Sequence, residues 1–144
     1  MSNKMGELEV LILFGQLRRQ VNLMATAKLR HLGVGPKQAL LMSRLLEMKR
    51  ALSIELARAT QTDPAATGKV VDGLVRKGWA NREHDSQDRR CWKVQLTSKG
   101  ESIAREVRRV YQGIAKEFCK NLSSHEQDLF VKTLVKISSH LEKI

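Results

Sequence analysis

The side chains best suited to chemistry in this sequence are cations. Lysine and arginine number 26 against 15 acidic residues, a formal net charge of +11. A charge of that size gathers anionic partners, nucleic acid before an acidic membrane surface. The densest arrangement is Asp85-x-x-Asp88-Arg89-Arg90. A carboxylate two residues from a guanidinium can orient it through paired hydrogen bonds. Arg90 at the tip of a ribbon is then the residue type drawn into a narrow, electronegative minor groove, and Arg89 suits a phosphate. The plainer alternative is a solvated turn whose surface ion pair is worth little.

Catalytic arrangements are not expected. His31, His84, His125 and His140 have no metal-ligand spacing with cysteines or carboxylates. No Ser/His/Asp set, carboxylate pair or phosphate loop appears, and Cys91 and His84, close across an expected hairpin, lack a third orienting group. The sequence therefore predicts neither an enzyme nor a metal or cofactor site. Cys91 adjoins Arg90, and a nearby cation lowers a thiol pKa, so oxidation control there is a candidate. Cys119, beside Phe118, reads as a core residue.

The elements that must hold these residues are mostly helical. With 144 residues, 42% hydrophobic and 28% charged, the chain suits a single folded domain. Its longest apolar run, Val10 to Phe14, is five residues, far below the roughly 18 that span a bilayer, and no signal peptide is evident, so no membrane partner is expected. Two isolated cysteines point to a reducing, cytoplasmic setting. Six aromatics are sparse for a sheet that stacks single-stranded bases.

Apolar residues at three-to-four spacing predict a long helix from Glu7 to about Arg30, ended by Leu32-Gly33-Val34-Gly35. A second helix, Pro36 to about Met48, carries Leu40, Leu41, Leu45 and Met48 and reads as the buried hub. Ser53 is the expected N-cap of a short helix to Thr60, and Asp63 that of a helix from Pro64 to Lys77, closed by Gly78. Trp79–His84 and the alternating Trp92, Val94 and Leu96 predict a two-stranded hairpin with a charged tip, Asp85–Arg90. Ile103, Val107, Val110, Ile114 and Phe118 mark a further helix, and Ser123 with Glu126 forms a capping-box spacing before the last.

Helix, turn, helix and ribbon make the winged helix-turn-helix plan, in which the second helix enters the major groove. The residues also resemble the MarR-type transcription regulators: Leu56-Ala57, Pro64, Val71-Asp72, Leu74, Lys77-Gly78, Asp85, Asp88-Arg89-Arg90, and Leu96-Thr97-Ser98-Lys99-Gly100. That resemblance implies a mainly α fold: a winged helix-turn-helix with a small β-hairpin wing and long N- and C-terminal dimerisation helices. Within one domain, 1–144, residues 35–100 would be the DNA-binding module, and 1–34 with 101–144 the helical region joining two copies into a homodimer on double-stranded DNA. It further implies a repressor on a pseudo-palindromic operator, responsive to a small anionic or aromatic effector that the sequence does not identify.

In the recognition helix beginning at Pro64, the resemblance places Ala65, Ala66, Gly68 and Lys69 toward the groove. This chain departs from the family there, having alanines and glycine where serine or threonine is common, which thins direct base readout. Thr67 takes a usually aliphatic inward position, and its hydroxyl is expected to bond back to the helix. Gly68 costs about 1 kcal/mol against alanine, which points to close backbone approach to DNA or a soft helix, with a neutral substitution as the plainer alternative. Arg50 and Ser53 are expected phosphate contacts at a hydroxyl-capped helix N-terminus. Arg76, Arg82 and Lys93 flank the module as further candidates. An architectural, weakly specific DNA binder is the alternative, favoured by the charge and the alanines. A protein–protein adaptor is a third reading.

Overall fold

A computed structural model describes residues 4–144, with side chains from residue 6 onward. In chain order it has α1 (Lys4–Leu29), a 3-10 turn (Arg30–Leu32), α2 (Pro36–Met48), β1 (Arg50–Leu52), α3 (Ser53–Ala59) and α4 (Pro64–Arg76). Then follow β2 (Ala80–His84), β3 (Trp92–Leu96), α5 (Ser98–Phe118) and α6 (Ser124–Leu141). The chain divides into two compact units, one ending at Tyr111 and one spanning Gln112–Ile144.

In the first unit, Gly33 ends the 3-10 turn in the left-handed region, at φ 67°, which glycine adopts without a side-chain clash. Pro36 opens α2, and Gln38 turns back to accept the Gly35 N–H at 3.3 Å. The hub reading holds for one face: Ala39, Leu41, Met42 and Leu45 are buried, while Leu40 and Met48 are exposed. With Leu56, Leu74, Val94 and Val107, each almost wholly inaccessible, that face builds the core.

The hairpin acquires a third strand. β1 pairs antiparallel with β3, Ala51 opposite Val94, to give the order β1-β3-β2. Three residues are too few to show an alternating pattern, so only pairing reveals them. β2 and β3 run in register from Ala80 opposite Leu96 to His84 opposite Trp92.

Asp63 caps α4 as expected, accepting the Ala66 N–H at 3.0 Å, and Gly78, at φ 72°, ends the segment that follows. Lys77 is structural: its ammonium donates to the Gly33 carbonyl (2.6 Å) and to Gln38 (2.9 Å) and lies 4.6 Å from the Trp79 ring centroid. The Leu96-Thr97-x-x-Gly100 string is likewise a fastening. The Thr97 hydroxyl donates to the Gly78 carbonyl (2.7 Å) and accepts from the Gly100 N–H (3.0 Å), while the Thr97 N–H donates to the Trp79 carbonyl (3.0 Å). A Cβ on Gly100 would lie 1.8 Å from that carbonyl oxygen.

Thr67 is buried as its inward position requires, but the expected bond back to the helix is not made: its hydroxyl has no hydrogen-bond partner in the protein. Ser43 and Thr133 do bond back to the carbonyls of Ala39 and Leu129 (2.8 Å each), whereas Thr67 lines a hollow of about 30 Å³ together with Leu40, Leu41, Thr60, Thr62 and Val70.

In the second unit the capping box forms, with Ser123 Oγ accepting from the Glu126 N–H (3.1 Å) and Glu126 from the Ser123 N–H (2.8 Å). Phe118 and Phe130 stack with centroids 6.2 Å apart. Leu129, Val131, Val135 and Leu141 of α6 are exposed. So, in the first unit, is every residue from 7 to 20 of α1, Leu8, Leu11 and Phe14 among them.

Two substitutions test this packing in urea melts. Gly100→Ala drives a methyl into a backbone carbonyl and is expected to destabilise the fold by about 2 kcal/mol or more. Thr67→Val removes a buried hydroxyl that no protein group satisfies and is expected to stabilise by about 1 kcal/mol; an unchanged or lower midpoint would count against that account.

Candidate nucleic-acid interface

The surface that could meet a polyanion lies on α4 and on the loop between β2 and β3. Because Asp63 and Pro64 fix where α4 starts, and Thr67, Val71 and Leu74 fix which side faces the core, the rest of its first two turns looks outward. Pro64, Ala65 and Lys69 are exposed, and Ala66 and Gly68 half-exposed. The sequence-predicted set therefore shares one face. A Cβ on Gly68 would meet nothing within 4 Å, so no intramolecular contact requires glycine there.

The wing loop is held by its own polar groups. The Asp85 N–H donates to the Cys91 carbonyl and the Cys91 N–H to the Asp88 carbonyl, both at 2.9 Å. The Asp85 carboxylate accepts the Asp88 N–H (3.2 Å) and pairs with Lys93 (3.3 Å). Asp88 does what its spacing suggested: one oxygen accepts the Arg90 N–H (3.0 Å) and Nε (3.1 Å), the other accepts Nη2 (3.3 Å). Arg90 remains 91% exposed even though Asp88 engages its backbone N–H and two of its guanidinium nitrogens. Arg89 is exposed and has no ion pair among the described residues.

These bonds shift the acids. Hydrogen bonds from the Arg90 guanidinium and then from its backbone N–H hold the Asp88 carboxyl below the usual range. Burial opposes ionisation of Asp85, but Lys93 and the N–H groups of Asp88 and Gln87 outweigh it and lower its pKa as well. The same carboxylates reverse the expectation for Cys91. Burial, then the charge of Asp88, push its thiol up, and Arg90 offsets this only in part; Sγ lies 3.8 Å from an Asp88 oxygen.

The expected hydroxyl cap at Ser53 does not form, and Arg50 is engaged within the sheet. Arg50 lies on β1, its Nε and Nη2 donating to Gln95 Oε1 at 3.2 and 3.0 Å. Ser53 is the first residue of α3 and does not cap it; Leu52 holds the N-cap position, and its N–H donates to Glu55 at 2.8 Å. Two capping solutions competed, and the one using Glu55 prevails.

Of the flanking cations, Lys93 is engaged with Asp85. Arg82 pairs with Asp72 of α4 and lies 5.1 Å from the Trp92 ring centroid, so it joins β2 to α4. Arg76 is exposed and has no ion pair among the described residues. Sequence reasoning missed His84, whose Nδ1 lies 2.6 Å from the Arg89 carbonyl and whose ring stacks on Trp92 at 3.9 Å. The cross-strand register of the hairpin was the signal that could have paired those rings. Among the described residues no three His, Cys, Asp or Glu gather as a metal site. No helix among them is long and apolar enough to cross a membrane. The hollow beside Thr67 has room for about one water, too little for an aromatic ring.

The raised Cys91 thiol gives a direct expectation. In a Cys119→Ser background, alkylation by iodoacetamide at pH 7.5 should be slower than that of a free cysteine, about as the thiolate fraction falls; a faster rate would restore the redox candidate.

Residues 35–92 match the MarR family model. The transcriptional repressor MprA of Escherichia coli is 30% identical over 90 residues, 62% of this chain and 51% of MprA. The transcriptional regulator HosA of Escherichia coli is 31% identical over 84 residues, 58% of this chain and 62% of HosA. The chain thus spans about half to three-fifths of these relatives' length. Among solved structures, a MarR protein from Peptoclostridium difficile superimposes with a TM-score of 0.88 at 23% identity, over 93% of this chain and 88% of that one. A mutant MarR from E. coli complexed with operator DNA gives 0.82 at 24% identity, over 94% and 96%. Residues 35–92 thus match the MarR family model, and the chain has the fold of the solved MarR structures.

Proposed function

We propose that this chain is a DNA-binding transcriptional regulator rather than an enzyme, a cytoplasmic homodimeric repressor of a pseudo-palindromic operator. The observation that carries the reading is Arg90: Asp88 holds its backbone N–H and two of its guanidinium nitrogens while the side chain stays 91% exposed, so an oriented cation is presented to an anionic groove outside the molecule. The small-residue face of α4 lets a helix backbone approach bases closely, and Lys69 adds a phosphate contact. Relatives named as repressors, and relatives solved with operator DNA or, like MepR of S. aureus, with DNA, support it.

Dimerisation is supported by α1, whose residues 7–20 carry Leu8, Val10–Phe14 and Leu17 in exposed positions. An apolar surface of that extent calls for a cover, and a second copy supplies the same surface. Two recognition helices about one helical turn apart then read two half-sites. An effector, small and anionic or aromatic, would act by changing the spacing of the two heads.

A second reading, an architectural binder of weak specificity, is favoured by one feature: Ala65, Ala66 and Gly68 offer no hydrogen bonds to base edges. Selection of the purified protein against random duplex DNA at near-physiological salt separates the two. The expected result is an inverted repeat, with binding to it weakened by about 1–3 kcal/mol in Arg90→Ala. Retention without an enriched sequence would favour the architectural reading, and no retention at low salt would exclude both.

A further inference from the structure

Two hydrogen bonds fix the peptide that joins the wing arginines. Its N–H, from Arg90, donates to Asp88 Oδ1 at 3.0 Å. Its carbonyl, from Arg89, lies 2.6 Å from His84 Nδ1. The first bond belongs to the Asp88-Arg89-Arg90 string. The second comes from the last residue of β2, outside that string. A carbonyl only accepts, so Nδ1 must carry the proton, which sets the ring's tautomer.

The ring is held for this bond. His84 stands opposite Trp92 in the β2–β3 register and stacks on it, centroids 3.9 Å apart and planes 28° from parallel. The Arg82 guanidinium lies 5.1 Å from the same indole centroid and pairs with Asp72 of α4. A continuous series of contacts therefore runs from the recognition helix through Arg82, Trp92 and His84 to the backbone between the two arginines. A peptide plane anchored at both its N–H and its carbonyl cannot swing without breaking one bond. The directions in which the Arg89 and Arg90 side chains leave the backbone are set by that plane.

We propose that His84 is a positioning residue for the wing, orienting Arg89 and Arg90 for the DNA contact through its Nδ1–H. This rests on the DNA-binding reading above. Without the donor, the Arg89 carbonyl turns to water and the tip must be ordered anew each time DNA binds. Fixing one residue's backbone then weakens binding by about tenfold.

The test uses the full chain and the duplex it selects from the random library, with affinity read by fluorescence anisotropy at one salt concentration. His84→Asn places an amide N–H near the position of Nδ1, whereas His84→Gln carries its amide out toward the position of Nε2. Both substitutions remove the ring stack, so the pair isolates the donor. The expected result is that H84Q and H84A lose about tenfold while H84N stays within about twofold of the original chain, all three melting alike. Equal losses in H84N and H84Q, or full affinity in H84A, overturn the proposal. Nitrogen NMR of the free protein tests the premise without DNA: the expected signal is a proton on Nδ1, and a ring protonated at Nε2 alone overturns it. If the original chain retains no DNA while Nδ1 is protonated, the DNA-binding reading fails and the proposal with it, although the hydrogen bond stands.

Discussion

The approach of Gly100 to the Trp79 carbonyl is the constraint on which the winged module depends. Residues 78 and 79 end the α4 segment, and residues 97 to 100 begin α5, so Thr97 and Gly100 sew the exit of the hairpin to its entrance. With both ends of β2 and β3 pinned at one place, the register between them follows, Ala80 against Leu96 through His84 against Trp92. The loop at the far end is then carried at a fixed reach from α4. A side chain at residue 100 would push those ends apart, and every pairing beyond them would shift. The family's Leu-Thr-x-x-Gly string is therefore a statement about backbone packing, although no residue in it needs to touch a ligand.

Charge in the wing is arranged for direction more than for stability. Exposed ion pairs contribute little to folding, and in the Arg90–Asp88 pair the arginine is almost wholly exposed and the aspartate partly so. What Asp88 supplies is orientation, since it grips the Arg90 backbone and the guanidinium with one carboxylate. Its lowered pKa means the grip persists wherever the carboxylate is ionised. Elsewhere the same chemistry is spent internally: Arg82 on Asp72, Lys93 on Asp85, Arg44 and Arg108 on Glu47. The net positive charge is thus left with cations such as Lys69, Arg76 and Arg89, which have no such pairing among the described residues.

Local signals were legible where a short stretch of chain decides the outcome. Asp63-Pro64 and Ser123-x-x-Glu126 set helix starts from within four residues, and Asp88 found its guanidinium two residues away. Features decided by competition or by distant partners were not legible. β1 exists because Ala51 meets Val94, far along the chain. Ser53 does not cap α3 because the helix begins one residue earlier than expected, with Leu52 at the N-cap and Glu55 accepting its N–H. Cys91 was weighed against Arg90 alone, but Arg90 turns to Asp88, which leaves the thiol beside carboxylates. A helical threonine can bond back to its own helix, as Thr133 does, but the Thr67 hydroxyl is buried without such a partner.

The long helices extend the same reasoning to what lies outside one chain. α1 has 26 residues, yet only Ala25 and Leu29, near its end, are buried among those described. A helix with both polar and apolar sides in water draws little stability from propensity alone; tertiary packing of an apolar face normally supplies it. Leu8, Leu11, Ile12 and Phe14 therefore describe a helix whose packing partner is still to be supplied, and α6 repeats the condition with Leu129, Val135 and Leu141. If a second copy provides the cover, the surface that stabilises these helices also sets the distance between two winged modules. Folding of the α1 helix and association of two copies would then be coupled, so its stability would rise with protein concentration.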